Sequence, residues 1–182
     1  MNHTDHVNLI RPGIPTPGGV WADLGAGAGA FTLALAELIG PAGQIYAVDK
    51  NRGALKRLEK AVRAHQPALT LQTIAADFGQ PLPLPALDGL IMANSLHFVR
   101  HKEPVLRLLR RYLRPGGRLI LVEYGTDRGN YWVPYPFSYP SWEALAARAG
   151  FVETSLLAKR PSRFLGQIYS ALSLAPTLER RD

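Results

Sequence analysis

Short apolar runs alternate along the chain with longer stretches in which apolar residues return every three or four positions. Val20–Leu24 is the first short run and follows the turn pair Gly18-Gly19. Phe31–Leu38 has helical spacing and meets Gly40-Pro41, a normal helix stop. Gln44–Val48 reads as a strand. Asn51–His65 places Leu55, Leu58 and Val62 on one stripe, with Lys56, Arg57, Lys60 and Arg63 opposite, the pattern of an amphipathic helix. Leu69–Ala75 and Leu87–Ala93 read as strands, and the prolines of Gln80–Ala86 between them exclude a regular helix. Glu103–Leu113 carries Val105, Leu108, Leu109, Tyr112 and Leu113 at helical spacing and is expected to end at Pro115-Gly116-Gly117. Arg118–Tyr124 is strongly β-like. Ser141 is the expected N-cap of a helix running to Ala149, with Gly150 beyond it. Phe151–Ala158 and Arg163–Leu172 flank Pro161-Ser162 and predict a closing hairpin. Strand–helix alternation of this kind argues for an α/β, doubly wound, mostly parallel sheet, with the hairpin adding an antiparallel element at one edge.

Composition narrows the class. A chain of 182 residues fits one domain at roughly 100–200 residues per domain. Residues 1–12 and 176–182 are the expected frayed ends. Hydrophobic residues at 47% and charged residues at 19% make a globular balance rather than a disordered one. With no cysteine there is no disulfide framework, thiolate zinc site or cysteine nucleophile, and no metal is expected. The start MNHTDHVNLIRPG has no apolar signal core and no run reaches the length of a membrane span, so the expectation is a cytoplasmic protein. Twenty-one basic and fourteen acidic residues leave a net charge of +7, which suits nucleic acid, an acidic ligand, or solubility alone.

Candidate chemistry begins at the carboxyl end of the first strand, where open α/β sheets bind ligands. The segment reads Asp23-Leu24-Gly25-Ala26-Gly27-Ala28-Gly29. Alternate glycines let the backbone turn sharply and approach a ligand closely. Gly25, Gly27 and Ala30 also fit the loose dinucleotide fingerprint G-x-G-x-x-A. Asp23 weighs between the two readings: a carboxylate here repels a pyrophosphate and attracts a ligand with a cationic head. The second strand ends at Asp49, followed by Lys50, at a spacing that suits an acid accepting from ribose hydroxyls under either reading. Asp77-Phe78 ends the third and offers an acceptor and a ring face to a base.

These segments, in order, with Leu113-Arg114-Pro115-Gly116-Gly117-Arg118-Leu119, resemble the class I S-adenosylmethionine-dependent methyltransferases over about residues 18 to 172. The resemblance implies a Rossmann-like seven-stranded sheet with an antiparallel last strand, and S-adenosyl-L-methionine as cofactor. It assigns Asp23, Gly25, Ala26, Gly27 and Gly29 to the methionine moiety, Asp49 to the ribose, and Asp77 with Phe78 to the adenine. It also places the backbone around Asn94 at the cofactor's amino-acid end.

The acceptor side is expected at the ends of the fourth and fifth strands, Asn94-Ser95-Leu96-His97-Phe98 and Glu123-Tyr124. A histidine is the side chain type suited to act as a base at neutral pH, and His97 and Tyr124 are the candidate catalytic residues, against packing roles for both. The fourth strand lacks the Asn/Asp-Pro-Pro-Tyr/Phe of base-amino methyltransferases, and Leu-His at this place resembles the small-molecule and lipid-quinone branch. Tyr131–Trp142 holds six aromatics in twelve residues, either an acceptor pocket or a loop packed on the sheet edge. The expected partner is a small-molecule acceptor. An RNA or protein methyltransferase, and a non-catalytic cofactor-binding or interaction module, are the alternatives. The basic faces at Lys50–Arg63 and Arg100–Arg118 are read mainly as solvated surface. A homodimer is left open.

Overall fold

A computed structural model describes residues 1–177. Seven strands form one sheet in the order β3-β2-β1-β4-β5-β7-β6. They are β1 (Val20–Leu24), β2 (Gln44–Asp49), β3 (Thr70–Ala75), β4 (Leu87–Ala93), β5 (Leu113–Tyr124), β6 (Val152–Ser162) and β7 (Gly166–Leu174). β1 lies at the centre, paired in parallel with β2 (Asp23 opposite Ala47) and β4 (Asp23 opposite Ile91). The chain reverses its walk across the sheet here, so the ends of β1 and β4 open the crevice in which such folds bind ligands.

Helices cover both faces. α1 (His3–Ile10), α2 (Ala30–Ile39) and α3 (Arg52–His65) bury Leu9, Ile10, Leu35, Ile39 and Leu58 against one side of the sheet. α4 (Lys102–Arg110) and α5 (Tyr139–Arg148) bury Leu106, Leu109, Trp142 and Leu145 against the other. Among the described residues, no helix is long and apolar enough to cross a membrane.

Four expectations are corrected. The first twelve residues are not frayed. Asn2 and Asp5 cap α1 reciprocally, at 2.9 and 3.1 Å, and Val7, Leu9 and Ile10 are buried. Of the expected frayed tail, Pro176 and Thr177 are exposed and 178–182 lie outside the described residues. The helix before Pro115 stops at Arg110, and Leu113 already pairs with Leu87. α5 is capped by Ser138 rather than Ser141, because Pro140 fits the first turn, where its missing N–H has no partner to lose. Finally, the hairpin turns at residues 163–165, with Pro161 inside β6 opposite Gln167. β6 is the edge strand, where proline is tolerated, and the antiparallel strand β7 sits one place inward, between β5 and β6.

Candidate active site

The glycine loop leaves β1 under tight constraint. The N–H groups of Gly25 and Ala26 both donate to the Val48 carbonyl, at 2.8 and 3.0 Å. Ser95 closes on the loop from the β4 side and donates its hydroxyl to the Leu24 carbonyl at 2.7 Å. A Cβ on Gly25 would lie 2.4 Å from the Ser95 Cβ, so only glycine allows the two strand exits to approach this closely. Gly29 turns the chain into α2 with φ at 94°, and a Cβ there would meet Leu58 of α3 at 2.7 Å.

Asp23 is 1% exposed at the floor of this loop. Its carboxylate accepts from the Thr32 hydroxyl at 2.6 Å. Burial pushes its pKa up to about 7; the Thr32 bond opposes this, and the charge of Asp49 adds to it. Asp23, Gly25, Ala26, Gly27 and Asn94 line a single cavity of about 260 Å³, with His6 and Phe31 closing it from the α1–α2 side. Asn94 has φ at 52°, and its N–H donates to the Val122 carbonyl at 2.8 Å. Its side-chain Oδ1 is buried without a partner. The wall of this cavity thus holds a buried carboxyl group and a residue whose amide oxygen has no hydrogen-bond partner, two groups that a donor-rich ligand satisfies.

Asp49 stands behind the loop, where its two oxygens accept from the N–H groups of Gly27 and Asn51 at 2.8 and 2.7 Å. Lys50 and Asp77 lie outside the cavity lining and pair with each other at 2.8 Å. That bond, with the Gly79 N–H, holds the Asp77 carboxyl below its ordinary range. Phe78 is half-buried, its Cε1 3.6 Å from the place of a Gly25 Cβ. Thr32, His6 and Phe31 escape the sequence reading. Thr32 follows Asp23 by nine residues, a spacing that gains meaning only once α2 folds back over β1. His6 packs tilted against Phe31 with 4.7 Å between ring centroids, a tertiary contact with no local signature.

His97 and Tyr124 are brought near each other, with ring centroids 6.1 Å apart, but in different surroundings. His97 is 2% exposed, and its Nδ1 lies 2.7 Å from Oε2 of the fully buried Glu123. Oε1 of Glu123 accepts from the N–H groups of Leu96 and His97 at 3.0 and 3.1 Å. The pair therefore clamps the exit of β4 to the end of β5. Tyr124 is half-buried, and burial first, then the Glu123 charge, raises its pKa. It lines a second cavity of about 600 Å³ beneath the β6–β7 turn.

The aromatic segment divides. Phe137 and Trp142 enter the core with ring centroids 5.9 Å apart. Tyr131 and Trp132 point outward, 88% and 68% exposed. The Tyr135 N–H donates to the His97 carbonyl at 3.0 Å, tying the segment to the clamp.

Residues 22–121 match the family model described as methyltransferase domain. The chain is 34% identical over 110 residues to a ubiquinone/menaquinone biosynthesis C-methyltransferase, UbiE, of Ectopseudomonas mendocina; the match covers 59% of this chain and 43% of the relative. Among solved structures, a SAM-dependent methyltransferase from Aquifex aeolicus superimposes with a TM-score of 0.72 at 19% identity, covering 93% of this chain and 89% of that one. A Haemonchus contortus phosphoethanolamine N-methyltransferase in complex with phosphomonomethylethanolamine and S-adenosylhomocysteine gives 0.76 at 13% identity, covering 96% of this chain and 53% of that one. The chain belongs to the methyltransferase-domain family, within the class I S-adenosylmethionine-dependent methyltransferases. It spans about half the length of the curated relatives it matches.

Proposed function

We propose that this domain binds S-adenosyl-L-methionine in the glycine-loop cavity and transfers its methyl group to a small-molecule acceptor. The observation that carries the reading is the pairing of buried Asp23 with the unpartnered Oδ1 of Asn94 in one cavity. Two acceptors with little access to water suit the ammonium of the cofactor's amino-acid end. Asp49 is placed to take the ribose hydroxyls, exchanging its bond to the Gly27 N–H for them. Phe78 covers the adenine face, and Asp77 accepts from the adenine amino group beside Lys50.

When bound, the cofactor supplies a methyl group on a cationic sulfur, with a neutral thioether as leaving group. The protein's work is then to align the acceptor and exclude water. His97 turns its Nδ1 toward Oε2 of Glu123, at 2.7 Å. Through the clamp, His97 holds Asn94 and the β4 exit in place against the cofactor. Tyr124, its pKa raised, stays protonated at neutral pH and presents its hydroxyl as a hydrogen-bond donor to the cavity it lines.

Calorimetric titration with S-adenosylhomocysteine and, separately, NAD tests the reading. Binding of S-adenosylhomocysteine alone is expected, and binding of NAD alone sinks it. Asp49→Ala removes a charge-assisted acceptor and is expected to weaken S-adenosylhomocysteine at least about tenfold. Unchanged affinity would refute the ribose assignment.

A further inference from the structure

The turn that follows β5 holds two aromatic rings out in solvent. Oδ1 of Asn130 accepts from the N–H groups of Trp132 and Val133 at 2.9 and 2.8 Å, and the Asn130 N–H donates to the Val133 carbonyl at 2.9 Å. Val133 is buried and anchors the turn, which leaves Tyr131 and Trp132 at its tip, edge to face with centroids 5.2 Å apart. Clusters of large apolar side chains left in water mark interaction surfaces. Two more rings join this one. The bond from the Tyr135 N–H to the His97 carbonyl brings the backbone at Tyr135 against that at Phe98, and the two side chains are 40% and 60% exposed. Phe98 follows β4 and the turn follows β5, so the aromatic patch stands at the same end of the sheet as the glycine-loop cavity.

The charge beside the patch is positive. Arg100 and Arg128 flank it in sequence and are exposed, and neither forms an ion pair among the described residues. Lys102 donates to the Val99 carbonyl at 2.8 Å with its ammonium 5.7 Å from the centre of the Tyr135 ring. The neighbouring acids are engaged within the fold: Asp127 accepts from the Ser138 N–H at 2.9 Å, and Glu103 takes Arg107 and Arg148. An aromatic side chain buries about 150–250 Å². Four of them, each already partly covered, fall short of the roughly 800 Å² that each partner brings to a stable protein interface. At a bilayer, in contrast, Trp and Tyr rings settle at the headgroup level, and basic residues beside them are drawn to anionic lipid. We propose that Tyr131, Trp132, Phe98 and Tyr135, flanked by Arg100 and Arg128, dock the protein on the surface of an anionic lipid bilayer. Docking there turns the carboxyl end of the sheet, and the glycine-loop cavity with it, toward the membrane.

The chain has three tryptophans, and because Trp21 and Trp142 are buried, Trp132 is the one whose emission reports contact with lipid. The test sediments the full chain with vesicles of phosphatidylcholine alone and of phosphatidylcholine with phosphatidylglycerol, and follows tryptophan emission on vesicles whose acyl chains are brominated. Expected are binding to the anionic vesicles at least tenfold tighter than to the neutral ones, and a blue shift and quenching of emission on the brominated vesicles. The double variant Tyr131→Ala/Trp132→Ala and the double variant Arg100→Glu/Arg128→Glu are each expected to weaken anionic-vesicle binding at least tenfold, with thermal unfolding unchanged because all four side chains are exposed. The quenching measurement needs no variant. Equal binding to the two kinds of vesicle, unquenched emission, or anionic-vesicle binding unaffected by Tyr131→Ala/Trp132→Ala overturns the proposal. A dimer in sedimentation equilibrium that Tyr131→Ala/Trp132→Ala dissociates assigns the patch to a second copy of the chain and overturns it as well.

Discussion

A carboxyl group cut off from water resists ionisation, and Asp23 keeps its proton up to a pKa of about 7 against an ordinary 3.8. Between these values the folded protein holds a proton that the unfolded chain releases, so rising pH destabilises the ligand-free protein across pH 4 to 7. A rise of that size corresponds to at most about 4 kcal/mol. A cationic amino group bound beside Asp23 needs the ionised form, so affinity runs the other way. S-adenosylhomocysteine is expected to bind about tenfold more weakly at pH 6 than at pH 8, where Asp23 is mostly ionised. Asp23→Asn keeps an acceptor for the Thr32 hydroxyl. It is expected to raise ligand-free stability at pH 8 in urea unfolding, to weaken S-adenosylhomocysteine there, and to flatten the pH dependence of binding. His6, in the same cavity, has its pKa lowered by burial and is unchanged in the variant, so the comparison isolates Asp23. Equal affinity of the parent protein at the two pH values refutes the assignment.

The loop between β1 and α2 imposes its demands on the backbone, and its glycines are not equivalent. At Gly27, with φ at 53°, a Cβ would have nothing within 4 Å, whereas at Gly29, with φ at 94°, it would be driven into Leu58. Gly27→Ala carries only the left-handed backbone penalty, about 1–2 kcal/mol. Gly29→Ala adds the displacement of a fully buried leucine, about 1–3 kcal/mol more. Urea unfolding should therefore separate the two by about that added amount, and equal destabilisation would show that the α3 contact is soft. The same division between local and tertiary demands decides what is legible in the sequence. Asp23, the glycines and Asp49 sit at strand ends set by short apolar runs, so local pattern locates them. α1 escapes that pattern because its sequence, HTDHVNLI, is short and mostly polar. Its helix is held by partners far along the chain: Glu37 for His3 and Arg11, and Arg160 for Asp5. Pro161 points to the wrong turn because a proline's meaning depends on whether its strand lies at an edge, which is a property of the sheet.

At the scale of the molecule, the net charge of +7 includes two unlike basic sets, around α4 and on α3. The basic residues around α4 hold structure together. Glu103 takes Arg107 and Arg148 at 2.6 and 3.4 Å, Arg110 donates to the Ala149 carbonyl at 3.1 Å, and Arg114 pairs with Asp88. They bind α4 to α5 and the start of β5 to β4, leaving fewer guanidinium groups to follow a phosphate backbone. Lys56, Arg57, Lys60 and Arg63 on α3 are solvated, and α3 covers the face of the sheet opposite α4 and α5. Among the described residues, the basic sets of α3 and α4 thus lie on opposite faces of the sheet and do not join into one groove, unlike those of a nucleic-acid enzyme, whose charge tracks toward its chemistry. Fluorescence anisotropy with a 20-nucleotide single-stranded RNA at 150 mM salt should therefore give only non-specific affinity, about 10⁻⁶ to 10⁻⁴ M, falling steeply with added salt. S-adenosylhomocysteine should leave it unchanged, because the α3 face and the glycine-loop cavity share no lining residue. Nanomolar RNA binding that responds to S-adenosylhomocysteine would mean that the acceptor is a polynucleotide, and would overturn the small-molecule reading.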